Sequence, residues 1–220
     1  MSGDRLTALQ WRILRVLAGV EPEWTLTGGG ALAGVYLKHR PTKDLDLFWH
    51  GQDQLGDLPR EVRDRLSAAG LEATVLQSGG SFFQLRVSGG NEVCVVDLVA
   101  DPVPPVAAPQ RITLQGASIT VDDPHEILVN KLCALLGRSE LRDLVDVQAL
   151  LASGGDLEKA LVEAPRKDAG FSPLTLAWVL KDVRPKALGQ MAGLGPEEAK
   201  DLEDFKDRLV TELLKAGAPE

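Results

Sequence analysis

Gly28-Gly29-Gly30, followed closely by Asp44-Leu45-Asp46, constrains this chain more than any other feature. The segment LTGGGALAGVYLKHRPTKDLDLF reads as a strand end, a glycine turn, a helix, a loop and a second strand carrying two carboxylates. Alternate residues of a strand point to the same face, so Asp44 and Asp46 project together while Leu45 and Leu47 project into the core. Two acids on one face repel and raise each other's pKa. A cation, a basic side chain or open water must compensate. Standing alone, an Asp-x-Asp is more often a solvated strand end.

The glycines change that balance. Glycine permits positive φ and close backbone approach, and the N–H groups that open a helix form an anion site. A strand, a glycine turn and the helix-favouring run Ala31-Leu32-Ala33 therefore set the backbone donors of Gly28, Gly29 and Gly30 beside the carboxylates. Pro41 is expected to stop that helix after His39-Arg40. Mg²⁺ (or Mn²⁺) suits such a place, being a hard ion held by one or two carboxylates together with substrate phosphates. Two ions about 4 Å apart can activate an attacking oxygen and neutralise a leaving one.

A third acid comes from downstream. Residues 81–87 (SFFQLRV) and 92–100 (EVCVVDLVA) flank Ser88-Gly89-Gly90-Asn91, a hairpin signal. Val93, Val95, Asp97 and Val99 share one face of the second strand, and an acid among valines needs a partner or a metal. Asp97 is the candidate third ligand; the competing reading pairs it with an arginine such as Arg86 across the hairpin. Asp101, before Pro102, reads as a turn residue. The proline-rich stretch DPVPPVAAP over 101–109 cannot join a central strand or a helix interior. Residues 111–121 read as two short strands around Gln115-Gly116, and the first module is expected to end at residue 121.

Residues 122–152 hold the second cluster. Asp123 precedes Pro124 as an N-cap with proline at the first helical position, and Glu126 completes a capping-box pattern. Leu128, Leu132, Leu135 and Leu136 supply an apolar face. On a continuous helix Lys131, Arg138 and Arg142 fall in one stripe; Gly137 can break it and Ser139 can cap a second helix. The alternative for these charges, and for Asp143 and Asp146, is a helix surface laced with opposite signs.

Elsewhere, residues 7–18 read as an amphipathic helix with Leu9, Ile13, Leu14 and Leu17 inward, and residues 58–69 as another. Beyond residue 156 helical patterns alternate with breaks at Pro165, Pro173, Pro185 and Gly193 to Pro196, with Trp178 and Leu180 expected in a bundle core. Cys94 and Cys133 read as buried free thiols. Residues 1–220 suit one two-part domain or two small ones. No apolar run is long enough to span a membrane and no basic-then-apolar leader is present, so a soluble, cytoplasmic protein is expected. A net charge of −8 argues against a broad nucleic-acid-binding surface. Lys38, Arg40, Lys43, Arg60, Arg63 and Arg65 can still form a local positive funnel.

The glycine turn followed by Asp-x-Asp resembles the DNA polymerase β nucleotidyltransferase superfamily. The longer string resembles the AbiEii/AbiGii toxin family, whose pattern is "GGTALA", then "HR.T.DLDLF". HEILVNKLCALLGRSELRDLVDVQALL resembles its later block, "K..AL..R...RD..D...L". Gly30 stands where that family usually has Thr, so a hydroxyl able to touch phosphate or metal is missing. The resemblance implies an α+β fold: a mixed sheet flanked by helices over 1–121, and a helical region over 122–220 completing a nucleotide cleft. It implies metal-dependent transfer of a nucleoside monophosphate from an NTP to an acceptor hydroxyl. Asp44, Asp46 and Asp97 would hold two metal ions, with Asp97 also helping to deprotonate the acceptor. The glycine turn and Lys131 would hold the triphosphate, Arg138 or Arg142 would support it, and Asp143 and Asp146 would orient the basic groups or meet the base. The acceptor it implies is a tRNA 3′ end, with a separately encoded antitoxin. A small-molecule or protein acceptor, or a catalytically silent nucleotide-sensing module, remains open at this level.

Overall fold

Helix α1 (Ala8–Leu17) begins with a reciprocal cap. The Gln10 N–H donates to Thr7 Oγ1 at 3.2 Å, and the Thr7 N–H donates to Gln10 Oε1 at 2.8 Å, which satisfies donors that a helix start leaves without partners. Leu9, Ile13, Leu14 and Leu17 are all buried, as their spacing predicts. The computed structural model describes residues 5–138, 140–189 and 193–218, and the chain divides into two units, Met1–Asp123 and Pro124–Glu220.

In the first unit α1 is followed by β1 (Thr25–Thr27), α2 (Gly28–Ala31), a π-helical turn (Leu32–Tyr36), β2 (Asp44–His50) and α3 (Leu58–Ala68). Then come β3 (Glu72–Ser78), β4 (Phe82–Gly89), β5 (Glu92–Asp101), β6 (Gln110–Leu114) and β7 (Ala117–Val121). These strands form one mixed sheet in the order β3-β4-β5-β2-β1-β7-β6. β2 runs parallel to β5 and β1 parallel to β7, whereas the other neighbours are antiparallel. The three helices pack on this sheet.

Burial alternates along β2: Leu45, Leu47 and Trp49 are sealed, and Asp44, Asp46, Phe48 and His50 are half-buried on the other face. β5 alternates in the same way. Its sealed side is Cys94, Val96, Leu98 and Ala100, whereas Val93, Val95, Asp97 and Val99 line the more open side, with Val93 49% exposed. The strand is apolar on both sides, so its sequence alone does not say which face is inward.

The helix after the glycine turn ends earlier than Pro41 requires. Leu37 and Lys38 both donate backbone N–H groups to the Leu32 carbonyl, at 2.8 and 3.2 Å, and Lys38 adopts a left-handed φ of 51°. That turn, rather than the proline, releases the chain into the loop before β2. The edge strand β3 has no counterpart in the sequence reading, because nearly all of its residues are exposed and EATVLQS carries no alternation to betray it.

The second unit, within the described residues, is helical: α4 (Pro124–Arg138), α5 (Leu141–Ala152), α6 (Leu157–Lys167), α7 (Pro173–Asp182), α8 (Pro185–Leu188) and α9 (Pro196–Ala216). Leu128, Leu132, Leu144, Val147, Leu176, Leu180, Leu209 and Leu213 form its core. The stripe from Lys131 to Arg142 is indeed broken, with Glu140 at the N-cap position of α5; Ser139 lies outside the described residues. Glu126, expected to reach back to the N-cap, is fully buried and forms an ion pair with Lys167 Nζ at 2.6 Å. Trp178 is 69% exposed, so its expected place in the bundle core is corrected. Leu176, Ala177 and Leu180 set the inward stripe of α7, and Trp178 falls outside it. No helix among the described residues is long and apolar enough to cross a membrane.

Candidate active site

Strand register assembles the site in the first unit. Thr27 on β1 pairs with Asp46 on β2, Asp46 pairs with Asp97 on β5, and Asp97 pairs with Gln84 on β4. Directly paired residues share a face, so Asp46 and Asp97 stand side by side with Asp44 one step further along the same face. Gln84 Nε2 donates to Asp97 Oδ1 at 2.9 Å, whereas Arg86 pairs in register with Val95. The arginine partner weighed for Asp97 is thus replaced by a glutamine. On the other side of the row, the buried Thr42 hydroxyl donates to Asp44 Oδ1 at 2.6 Å.

The glycines have distinct geometric duties. Gly28 adopts φ +59°, and a Cβ there would lie 2.3 Å from Asp46 Oδ2. A Cβ on Gly29 would meet Arg40 Nη2 and Thr42 Oγ1, each at 3.1 Å. Gly30 is different: its Cβ direction leads to Leu26 Cδ1 at 3.1 Å and Leu45 Cδ2 at 3.3 Å. The missing threonine at position 30 therefore concerns the aliphatic layer under β2, and the approach to the carboxylates belongs to Gly28 and Gly29.

Three carboxylates on one sheet face offer hard oxygen donors of the kind that Mg²⁺ or Mn²⁺ takes. Without a side chain at Gly28, the Asp46 carboxylate packs directly against the backbone of the glycine turn. Among the described residues no three His, Cys, Asp or Glu side chains converge at metal-holding spacing. The donor chemistry and register fit a divalent ion, and one oxygen each of Asp44 and Asp97 accepts a hydrogen bond, from Thr42 and Gln84 respectively. Cys94, on the sealed side of β5, is pushed up to about 12, first by burial and further by the charges of Asp44, Asp46 and Asp97. It is an inert thiol beneath the acidic face.

Along that face lies a group the sequence reading did not single out. His50 Nδ1 is 3.2 Å from Asp101 Oδ2 and its Nε2 is 3.1 Å from Asp122 Oδ1, with Asp122 fully buried. Burial opposes the imidazolium, but hydrogen bonds to both carboxylates outweigh it and push the pKa up to about 9. Asp101 keeps its expected turn role as well, since its Oδ1 accepts from the Val103 N–H at 3.0 Å. His50 shares the alternation of Asp44 and Asp46, which was the available signal.

The remaining candidates belong to the second unit. Lys131, only 7% exposed, has its Nζ 2.7 Å from Asp143 Oδ1 and 2.8 Å from Asp146 Oδ2. Arg138 reaches Asp143 through Nε at 2.7 Å and Nη2 at 3.0 Å, a bidentate pair. Burial works against charge on Asp143, but Arg138 and Lys131 hold its pKa below the usual carboxylate range. Burial likewise opposes charge on Lys131, and Asp146 and Asp143 hold it above the usual lysine value. Arg142 pairs with Glu140 Oε2 at 2.8 Å on an exposed part of the helix start, so the expected stripe resolves into Lys131 and Arg138 on one carboxylate and Arg142 on another.

Two solved structures share this fold. A crystal structure from H. pylori assigned to the nucleotidyltransferases superposes with a TM-score of 0.54 and 21% identity, covering 97% of this chain and 100% of that one. JHP933 from Helicobacter pylori superposes with a TM-score of 0.51 and 22% identity, covering 92% and 89%. No curated protein matches the chain. The mixed sheet flanked by helices is the fold that these two structures share with this chain. The model of the family described as nucleotidyl transferase AbiEii toxin, type IV toxin–antitoxin system, matches residues 12–217, and the chain belongs to that family.

Proposed function

We propose that this nucleotidyltransferase moves a nucleoside monophosphate from an NTP to the 3′ hydroxyl of a tRNA, acting in the cytoplasm as the toxin of a toxin–antitoxin pair. The observation that supports the reading most is the direct pairing of Asp46 with Asp97, with Gly28 stripped of a side chain against Asp46 Oδ2. Asp44, Asp46 and Asp97 would hold two Mg²⁺ or Mn²⁺ ions. When bound, such ions lower the pKa of an attacking hydroxyl and neutralise the departing pyrophosphate.

The chain's own groups supply the rest. Backbone N–H groups of the Gly28-Gly29 turn meet phosphate oxygens at close range, because no Cβ intervenes. Asp97, steadied by Gln84, accepts the proton of the acceptor hydroxyl. The family resemblance implies a phosphate-binding role for Lys131, with Arg138 and Arg142 in support; within the helical unit Lys131 is held charged between Asp143 and Asp146. The antitoxin is supported by the toxin–antitoxin description of the family, and the tRNA acceptor by the sequence resemblance.

Incubation with α-labelled NTPs and total tRNA, with candidate small-molecule acceptors, or with the protein alone tests this directly. Label on tRNA, lost in Asp46→Asn, is the expected result. Label confined to a small molecule or to the protein itself would sink the tRNA assignment, and transfer undiminished in Asp46→Asn would sink the mechanism.

A further inference from the structure

Arg40 brings a permanent cation to the glycine turn. Its Nη2 and Nη1 atoms lie 3.1 and 3.7 Å from the Cβ position of Gly29, and Thr42 Oγ1 lies 3.1 Å from the same point. The Thr42 hydroxyl in turn donates to Asp44 Oδ1. One residue earlier, the Cβ position of Gly28 abuts Asp46 Oδ2. The two bare glycine positions are thus packed by a guanidinium at Gly29 and by a carboxylate at Gly28. The left-handed turn at Lys38 redirects the chain ahead of Arg40, and Arg40 Nη1 donates to the Pro41 carbonyl at 3.1 Å, which steadies the arm.

A face with three acids needs positive charge while no metal is bound, and Thr42 connects that face to Arg40: its Oγ1 lies 3.1 Å from the same Gly29 Cβ position as Arg40 Nη2 and 2.6 Å from Asp44 Oδ1. A guanidinium is also weakly hydrated and forked to match phosphate oxygens. The backbone donors that would receive a triphosphate belong to the very glycines on which Arg40 rests.

Building on the nucleotidyl-transfer reading, we propose that Arg40 serves two partners in turn. In the nucleotide-free site it neutralises the Asp44 side of the acidic row; on nucleotide entry it takes a phosphate oxygen of the NTP. The ligand part recognised is the phosphate chain, so the contribution is the same for every base. The arrangement makes Arg40 act in opposite directions on two ligands: it competes with a divalent cation offered alone and assists the triphosphate that arrives with one.

The test is calorimetric titration of the full-length chain with Mn²⁺ alone, and with α,β-methylene ATP in the presence of Mn²⁺. Wild type, Arg40→Gln and Arg40→Lys are compared, each first checked for cooperative thermal unfolding. In Arg40→Gln, Mn²⁺ alone is expected to bind about 3- to 10-fold more tightly, and the ATP analogue about tenfold or more weakly, the loss of one charge-assisted contact. Arg40→Lys keeps the charge and loses the fork, so its Mn²⁺ affinity stays at the wild-type level while analogue binding falls by an intermediate factor. The α,β-methylene analogue of GTP is expected to show the same ratios. Unchanged affinities in both variants would overturn the proposal. So would weaker Mn²⁺ binding together with a lowered melting temperature, which marks Arg40 as loop support. If Arg40→Gln does not fold, an Arg40→Lys variant that binds the analogue like wild type overturns it equally. A wild-type chain that binds no NTP analogue refutes the nucleotidyl-transfer reading itself, a result separable from any behaviour of Arg40.

Discussion

Asp46 and Asp97 are partners in the parallel register of β2 and β5, so two carboxylates far apart in the chain stand on adjacent strands with no residue between them. This adjacency concentrates negative charge at the middle of the sheet, and the surrounding residues answer it: Gln84 on Asp97, Thr42 on Asp44, and the bare backbone of Gly28 on Asp46.

Removing charge while keeping shape isolates that role. Asp46→Asn is expected to lower nucleotidyl transfer by at least about 100-fold, the scale on which groups that stabilise transferring phosphoryl charge act. Its melting temperature is expected to hold or rise slightly, because one of two adjacent like charges is gone. Labelled-NTP transfer and a thermal melt, run on the same preparation, read both effects.

Two alanine substitutions separate backbone strain from contact. Gly28→Ala and Gly90→Ala both force a side chain into a left-handed backbone, at φ +59° and +62°. Around Gly90 nothing lies within 4 Å, whereas at Gly28 the new Cβ strikes Asp46 Oδ2. Gly90→Ala is expected to cost about 1 kcal/mol and to leave transfer intact. Gly28→Ala should cost more, roughly 2–3 kcal/mol with the displaced carboxylate included, and should abolish transfer. Urea unfolding midpoints and single-turnover assays distinguish them.

The His50 bridge makes stability depend on alkaline pH. Its folded pKa, about 9, lies above the ordinary value of 6.5, so the folded state holds the proton more tightly than the unfolded one. The stabilisation is fully present below about pH 6.5 and is lost as pH rises through 9, where Asp101 and Asp122 face a neutral ring. Urea unfolding between pH 6 and 10 is expected to show this loss in the wild type and a flatter profile in His50→Gln; equal profiles would remove the bridge as the cause.

In the helical unit, Lys131→Met would leave Asp143 and Asp146 buried without their shared cation, and truncating one side of such a pair costs about 3–5 kcal/mol. Adding Asp143→Asn and Asp146→Asn to that variant should recover part of the loss, since the uncompensated charges go with it. Denaturation of the single and triple variants, compared against Trp178→Ala at an exposed position with an expected change within about 0.5 kcal/mol, tests the pairing rather than general fragility.

The acidic pair of β2 was legible because period-two alternation is a local property: Leu45 and Leu47 inward oblige Asp44 and Asp46 to share the other face. His50 continues the same alternation and was equally readable. Hairpin arithmetic goes further, for once Gly89 pairs with Glu92 across the Gly90-Asn91 turn, Gln84 must pair with Asp97. That partner was available from the turn, although Arg86 attracts attention by its charge. Trp178 shows the converse, since an aromatic in a helical pattern tells little about which way it faces until its neighbours are packed.

The amino-acid order by itself determined the local pieces: the glycine turn, the alternating acids, the hairpin that carries Asp97, and the helix break after Arg138. Only the tertiary structure decided how they meet. The parallel pairing of β2 with β5, the left-handed turn at Lys38 that brings Arg40 onto Gly29, and the clasp of His50 on Asp122 all join residues distant in sequence. Local preferences act over a few residues, whereas these contacts are chosen by burying the Leu45, Leu47, Val96 and Leu98 face as a whole, and no short stretch of the chain contains that choice.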